Sequence, residues 1–414
     1  MMIDPASDTT LTDGRALARA FQFLRVPSDF IDNPYPYYDL LRRHEPVHEL
    51  EGGGVFLTRY EDVVAIYRDS RASSDKKAEF KPKFGDSPLY EHHTTSLVFN
   101  DPPLHTRVRR LMMGALNQRA ITRMEGDVAA LVDRLLDGLA EQAEPDLIDH
   151  FAARIPIEVI GNLLEVPRDE RGSLRGWSLA ILSALEPAPA PEVLARGNQA
   201  VLEFLDYLRV LVAERRRQPR DSDTDVLTRL IQGEIDGERL SETELLHNCI
   251  FLLNAGHETT TNLIGNGIHA LLAYRSQFER VQAEPELISA AVEELLRFES
   301  PLQINNRVTT APMEIGGRLL SPGTFITLGV GAANRDPAQF REPDRLDVAR
   351  KPNRHIAFGH ADHACAGMNV ARLEGRIALG RLISRFQNLD LTATPERDRR
   401  IRFRGFRHLP VRLS

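Results

Sequence analysis

Three stretches of this chain carry residue types whose spacing suits chemistry. The first is Phe358-Gly359-His360-Ala361-Asp362-His363-Ala364-Cys365-Ala366-Gly367, a glycine-punctuated loop that runs into a helical stretch over residues 368–386. A sulfur at a helix start is favoured as thiolate, because the helix end is partially positive and its free N–H groups can reach the sulfur. His363 lies two residues before it, and Gly367 lets the chain pass close beneath a ligand. The second stretch is Asn254-Ala255-Gly256-His257-Glu258-Thr259-Thr260, in the middle of the longest helical pattern of the chain, residues 242–274. Glycine, β-branched residues and a carboxylate are costly choices in mid-helix, so they argue for a task beyond structure. The third is His105 and Arg109, four residues apart and so on one helix face. Such a pair is ordinarily a solvated basic face, but it also suits an anion that must be buried.

The elements that must position these groups are mostly helices. Asn33-Pro34-Tyr35-Pro36 opens a helix over 37–43, and residues 47–51 and 55–58 read as a hairpin around Gly52-Gly53-Gly54. Residues 60–68 return to helical spacing, while 70–98 show no sustained period and are expected to form a long functional loop. Between residues 124 and 212 apolar residues recur at three- and four-residue intervals, giving several amphipathic helices. The proline-alanine run at 186–191 predicts a loop over the site. Ser241 with Glu244 makes a capping box at the start of the long helix. Short strands are expected at 301–307, 313–315 and 325–328. Residues 1–25 read as a loosely ordered tail with a short helix around 15–24, and residues 26–414 as a single domain.

Composition bounds the function. The 414 residues carry 52 basic and 59 acidic side chains, a formal charge of −7, which argues against nucleic acid as a general partner. Two cysteines, Cys249 and Cys365, give no disulfide framework and suit a reducing compartment. Residues 1–12 lack the basic and apolar regions of a signal peptide, and no run of about 18 apolar residues is present to span a membrane. A cytoplasmic protein without a membrane anchor is expected.

The cysteine loop resembles the haem-thiolate signature of the cytochrome P-450 superfamily, Phe-Gly-x-Gly-x-His/Arg-x-Cys-x-Gly, with Ala361 standing where the second glycine belongs. A lone cysteine is most often a buried structural residue; the recurrence of further family motifs in order argues otherwise here. Ala255-Gly256-His257-Glu258-Thr259 resembles the family's distal-helix motif, and Glu294-Leu295-Leu296-Arg297 its Glu-x-x-Arg. The resemblance covers residues 33–413, that of a soluble bacterial member, and implies a mainly α fold, a helical prism with small β-sheets. It implies haem b (iron protoporphyrin IX) with Cys365 as the metal ligand, whose thiolate favours O–O cleavage. Phe358, Gly359 and Gly367 would shape the haem loop. His105, Arg109, Arg307 and His363 would hold the propionates. The small Ala255-Gly256 pair would leave room for dioxygen, with Glu258 and Thr259 delivering protons. Glu294, Arg297 and Arg345 would form a buried brace, and a positive φ at Ala361 would strain that residue.

The implied activity is insertion of one oxygen atom from dioxygen into a small-to-medium, largely apolar substrate. Asn254 and Gln303 would offer that substrate hydrogen bonds, and Phe251, Ala255, Leu302 and Phe406 apolar contact. His92 and His93 are expected to be exposed. Electrons would come from an external ferredoxin and its NAD(P)H-dependent reductase, docked on a basic face containing Arg110, Arg350, Arg354, Arg372 and Arg376 of a monomer. The competing readings are a peroxide-driven or non-monooxygenase haem-thiolate enzyme, and a haem-containing binding or sensor protein.

Overall fold

The computed structural model describes residues 8–116, 118–222 and 225–413. Its α-helices are α1 (Asp8–Ala20), α2 (Tyr35–His44), α3 (Tyr60–Arg68), α4 (Lys77–Phe84), α5 (Pro88–Thr95), α6 (Leu104–Ala115), α7 (Gln118–Ala140) and α8 (Arg154–Leu163). They continue with α9 (Gly172–Ser183), α10 (Pro191–Arg217), α11 (Val226–Gln232), α12 (Glu242–Ala273), α13 (Arg275–Ala283), α14 (Ile288–Phe298), α15 (Val330–Ala333) and α16 (Met368–Arg385). The strands are β1 (Val47–Leu50), β2 (Gly54–Leu57), β3 (Ala72–Ser73), β4 (Ile304–Thr309), β5 (Met313–Ile315), β6 (Arg318–Leu320), β7 (Phe325–Gly329), β8 (Asp390–Leu391), β9 (Glu396–Arg397), β10 (Phe406–His408) and β11 (Val411–Arg412). The chain is about 57% helical, the mainly α architecture with small sheets that was expected.

Helix α12 is the axis of the molecule. Ser241 caps it, its side chain accepting from the Glu244 N–H while the Glu244 carboxylate accepts from the Ser241 N–H. Its buried residues go all the way round, as in a helix that other helices surround. Leu263, Ile264, Ile268 and Leu271 join a core shared with α7, α8, α14 and α16, while Leu246, Ile250 and Leu253 join a second core with α9, α10 and α11. Burying each such side chain is worth about 1.5–3 kcal/mol, so these two cores fix α12 firmly in place. Pro191 opens α10 at a position where its missing N–H costs nothing.

The five-stranded sheet runs β1-β2-β7-β4-β3, with β2 parallel to β7 and β4 antiparallel to it. Its register pairs Asn306 with Thr327 and Arg307 with Ile326, and successive side chains of a strand point to opposite faces.

Two expectations are corrected. Residues 70–98 are not one loop but β3, α4 and α5, ended by a 3-10 turn over Leu97–Phe99. Ser87 caps α5 by accepting from the Tyr90 N–H, and a short capped helix leaves no long apolar period to read. The N-terminal segment is also ordered from residue 8. Ala18 and Phe21 bury themselves with Phe30, Tyr38, Phe56 and Ile304, so no packing boundary falls near residue 26; residues 1–7 lie outside the described part.

Candidate active site

The Cys365 loop is folded tightly on itself. The Cys365 N–H donates to the Phe358 carbonyl at 2.8 Å, and the Gly359 and Ala364 N–H groups close turns onto Ile356 and Ala361 at 2.9 Å each. Gly359 has φ +70°, and Ala361 has φ +56°, a left-handed conformation that disfavours any residue with a Cβ by about 1 kcal/mol. Cys365 is hemmed in deeply yet keeps accessible surface, so its sulfur faces an internal cleft. Burial pushes the thiol up, opposed by the Gly367 N–H and by the positive charges of Arg109 and Arg372. A Cβ built on Gly367 would touch nothing within 4 Å, so the backbone there is open.

Helix α16 leaves this loop and meets α12 where the Thr260 hydroxyl donates to Glu374 at 3.0 Å. On the wall above, Ala255 is exposed in mid-helix and Thr259 half-exposed, with the Thr259 hydroxyl donating to the Ala255 carbonyl at 2.7 Å. Gly256 serves another purpose than the one expected. A Cβ there would lie 2.3 Å from Ile160 Cδ1, so the glycine admits α8, and Ala255 alone provides the open wall. Glu258 points to the far flank of α12, where it pairs with Arg400, itself held by Asp398 at 2.5 Å. Glu258, His257, Arg400 and Asp398 border a separate cavity of about 740 Å³ that is open to solvent between α9, the 186–190 loop and the β9–β10 turn.

Four hydrogen-bond donors converge at the cleft's rim from three elements. The His105 and His363 rings stack at 3.9 Å and 27°. Burial, Arg307, His105 and Arg109 together press the His363 pKa down to about 3. Arg307 is buried, lies 5.2 Å over the Tyr67 ring and donates to the Asn306 carbonyl at 2.8 Å. Among the described residues no carboxylate pairs with Arg109 or Arg307, and His105 Nδ1 is buried without a partner. Buried cations demand anions, so this rim, over an inward-facing thiol and under a small wall residue, fits a flat iron-bearing group with acidic side chains.

The expected brace exists with one change of partner. Arg297 and Glu294 are both fully buried and bind through two bonds, Nε–Oε2 at 2.7 Å and Nη2–Oε1 at 2.8 Å. The third guanidinium is Arg350, at 3.0 Å from Glu294 Oε1, not Arg345. Arg345 sits three residues after Glu342 in an exposed turn, pairs with it, and contributes only its backbone carbonyl to Arg297.

Of the residues expected to meet substrate, Asn254 is buried and lies 3.4 Å from His92 Nε2, with its Oδ1 unpaired. His92 and His93 are buried, which corrects the expectation of exposure. Phe251 packs against the small cluster of Leu97, Val108 and Met112, and Leu302 against the cluster containing Phe403. Gln303 and Phe406 lie in packed surroundings, and Phe406 also borders the cavity beside Glu258. Gln303 gives its amide to the Ser300 carbonyl at 2.7 Å and packs against Gly331, and Phe406 is a core residue with its ring 4.7 Å from His269 and beneath Arg397. The β9–β10 turn offers Arg400 and Arg402 instead, whose positions no local spacing could disclose. The expected basic face is largely neutralised: Arg110 pairs with Asp236 and Glu238, Arg372 with Glu293, and Arg376 with Glu125.

A cysteine loop at a helix start, a cation rim and a long helix with a carboxylate–hydroxyl pair together make the candidate cofactor site. The family model described as cytochrome P-450 matches residues 188–406. The chain is 34% identical over 401 residues to the polyketide biosynthesis cytochrome P-450 PksS of Bacillus subtilis, covering 93% of this chain and 97% of that one. It is 38% identical over 389 residues to cytochrome P-450 107B1 of Saccharopolyspora erythraea, covering 89% and 93%. A crystal structure of P-450 BioI in complex with hexadec-9Z-enoic acid ligated acyl carrier protein superposes with a TM-score of 0.88 at 33% identity, covering 94% of this chain and 100% of that one. The chain belongs to the cytochrome P-450 superfamily, alongside bacterial members. It is accordingly a haem-dependent monooxygenase that takes dioxygen and an organic substrate. No helix among the described residues is long and apolar enough to cross a membrane.

Proposed function

We propose that Cys365 is the protein's ligand to the iron of haem b, that His105, Arg109, Arg307 and His363 hold its propionates, and that Glu258 and Thr259 carry protons to the distal side. The convergence of four donors with no carboxylate paired to them among the described residues, around an inward-facing thiol, is the observation that supports this most. Held there, the haem would supply dioxygen activation, one oxygen atom going to the substrate and the other, with two electrons and two protons, to water.

The chain's own residues supply position and protons. Ala255 keeps the wall over the cofactor open, and Thr259, whose hydrogen goes to the Ala255 carbonyl, turns its free lone pairs to the cleft to hold a water. Adjacent helix residues point about 100° apart. Glu258 therefore takes protons from the solvent-filled cavity beside Arg400 and passes them round the helix to Thr259. Glu294, Arg297 and Arg350 keep the Cys365 loop in register.

The substrate we assign is largely apolar with a hydrogen-bonding group, which the unpaired Oδ1 of buried Asn254 supports. Electrons come from an external ferredoxin and reductase to a monomeric, cytoplasmic protein that acts as one catalytic domain, the segment before residue 26 packed into it. Because the arginines around the Cys365 loop are mostly ion-paired, shape rather than net charge governs that docking. Titration of the holoprotein with a substrate library, read by the Soret shift as the iron loses its water, tests the pocket assignment. Asn254→Leu should weaken polar ligands and spare hydrocarbons; equal weakening of both refutes the role of Asn254.

A further inference from the structure

Arg402, like Arg307 at the rim, is an internal arginine without a paired carboxylate among the described residues. It lies in the β9–β10 turn, enclosed on all sides, and still keeps accessible surface, as Cys365 does. Its guanidinium donates to Asn306 Oδ1, its Nε is buried without a partner, and no carboxylate pairs with it among the described residues. Most other enclosed arginines are matched, among them Arg297 by Glu294, Arg404 by Glu299 and Arg215 by Asp225. Arg402 is not another rim donor, because Asn306 and Arg307 alternate along β4 and present their side chains to opposite faces of the strand.

More positive charge gathers around it. Lys83 of α4 is drawn down to about 8, by burial first and then by Arg402. Its ammonium donates to a backbone carbonyl, that of Glu186, at 2.7 Å. His93 is held uncharged by burial, Lys83 and Arg402. Lys76 is already neutralised by Glu79 at 2.6 Å. Glu186 and Glu79 lie near both Arg402 and Lys83 without pairing with either, and Glu186 Oε2 accepts from the Ile401 N–H. Neither Arg402 nor Lys83 is ion-paired among the described residues, so the carboxylate of a ligand would meet free donors there, the unpaired Arg402 Nε first. The cluster also connects to the distal cleft: His93 adjoins His92, which touches Asn254, the neighbour of Ala255 on α12.

Resting on the monooxygenase reading above, we infer that the substrate is an apolar skeleton ending in a carboxylate, and that Arg402, assisted by Lys83, binds that carboxylate. The charged end then sets which carbon lies over the haem, so Arg402 determines where the substrate is oxidised as well as which substrate enters.

The test uses holoprotein and chain-matched pairs, alkanoic and arylalkanoic acids against their methyl esters, followed by the Soret shift. Acids should bind at least about tenfold more tightly than esters, and Arg402→Gln should erase that preference while Lys83→Gln reduces it. Without ligand, Arg402→Gln should raise the melting temperature, since it removes an unmatched buried charge, and acids should no longer stabilise the variant. Esters binding as well as acids, a preference that survives Arg402→Gln, acids that neither shift the Soret band nor stabilise the protein, or a variant that melts earlier would each overturn the inference. The reduced carbon monoxide spectrum is recorded throughout. A parent lacking the red-shifted band defeats the haem-thiolate reading itself, whereas a parent with the band and no preference for acids defeats only the carboxylate inference.

Discussion

Glu374 ties the helix that leaves the Cys365 loop to the helix above the cleft, and its chemistry can be isolated by one substitution. It is buried, and burial raises its carboxyl to about 8, offset only in part by the hydrogen bond from Thr260. Between the unfolded carboxylate range, near 4.5, and about 8, the folded chain holds a proton that the unfolded chain has lost. A raised folded-state value means stability that is complete below the unfolded range and is lost as pH climbs through the folded one. The slope is up to about 1.4 kcal/mol per pH unit. Glu374→Gln keeps an acceptor for Thr260 and removes the titration. It also places an amide N–H where Glu374 Oε1 has no partner, a pH-independent cost of about 1–3 kcal/mol. Dividing that cost by the slope puts the crossing of the two stability curves near pH 6. Melting temperatures of parent and variant holoprotein from pH 5 to 8.5 should show the variant less stable at the acid end and more stable at the alkaline end. A difference that stays constant across that range would refute the buried, protonated Glu374.

Thr259→Ala should still bind substrate and consume reductant but release mostly hydrogen peroxide, whereas Glu258→Gln should slow turnover as a whole with a larger solvent isotope effect; product yield per electron pair in each variant separates the two. Ala361→Gly relieves the strain of φ +56° and should stabilise the holoprotein by about 1 kcal/mol, read as a higher melting temperature, while equal melting would mean the loop bears no strain. Arg350→Ala strips a partner from fully buried Glu294 and should cost about 3 kcal/mol or more, against about 0.5 kcal/mol or less for Arg345→Ala, in denaturant titrations.

The site was legible where chemistry is local in sequence. The Cys365 loop, the Ala255–Thr259 stretch and the capping box at Ser241 each lie within a few residues, so composition and spacing disclose them. Helix α12 was legible from its capping box and the length of its apolar sequence. What failed depended on pairings across the chain. Arg345 and Arg350 are both plausible partners for Glu294 in sequence, and only the turn at Glu342 decides which guanidinium turns inward. Gly256 read as room for a ligand because the sequence does not show Ile160 arriving from α8. Arg400 meets Glu258, and Arg402 meets Asn306, across stretches no local pattern spans. The short helices α4 and α5 escaped notice because their burial comes from tertiary contacts rather than a sustained apolar period.

The central claim is that Cys365 alone among the protein's groups binds the iron. Cys365 faces the cleft, whereas Cys249 is fully buried in the core of α12, where burial pushes its thiol up to about 12. The direct measurement is the absorption spectrum of the reduced carbon monoxide complex in the parent, in Cys365→Ser and in Cys249→Ser. The red-shifted Soret band of a thiolate-ligated haem should appear in the parent and in Cys249→Ser and vanish in Cys365→Ser; a band that survives in Cys365→Ser, or is lost in Cys249→Ser alone, would contradict the account.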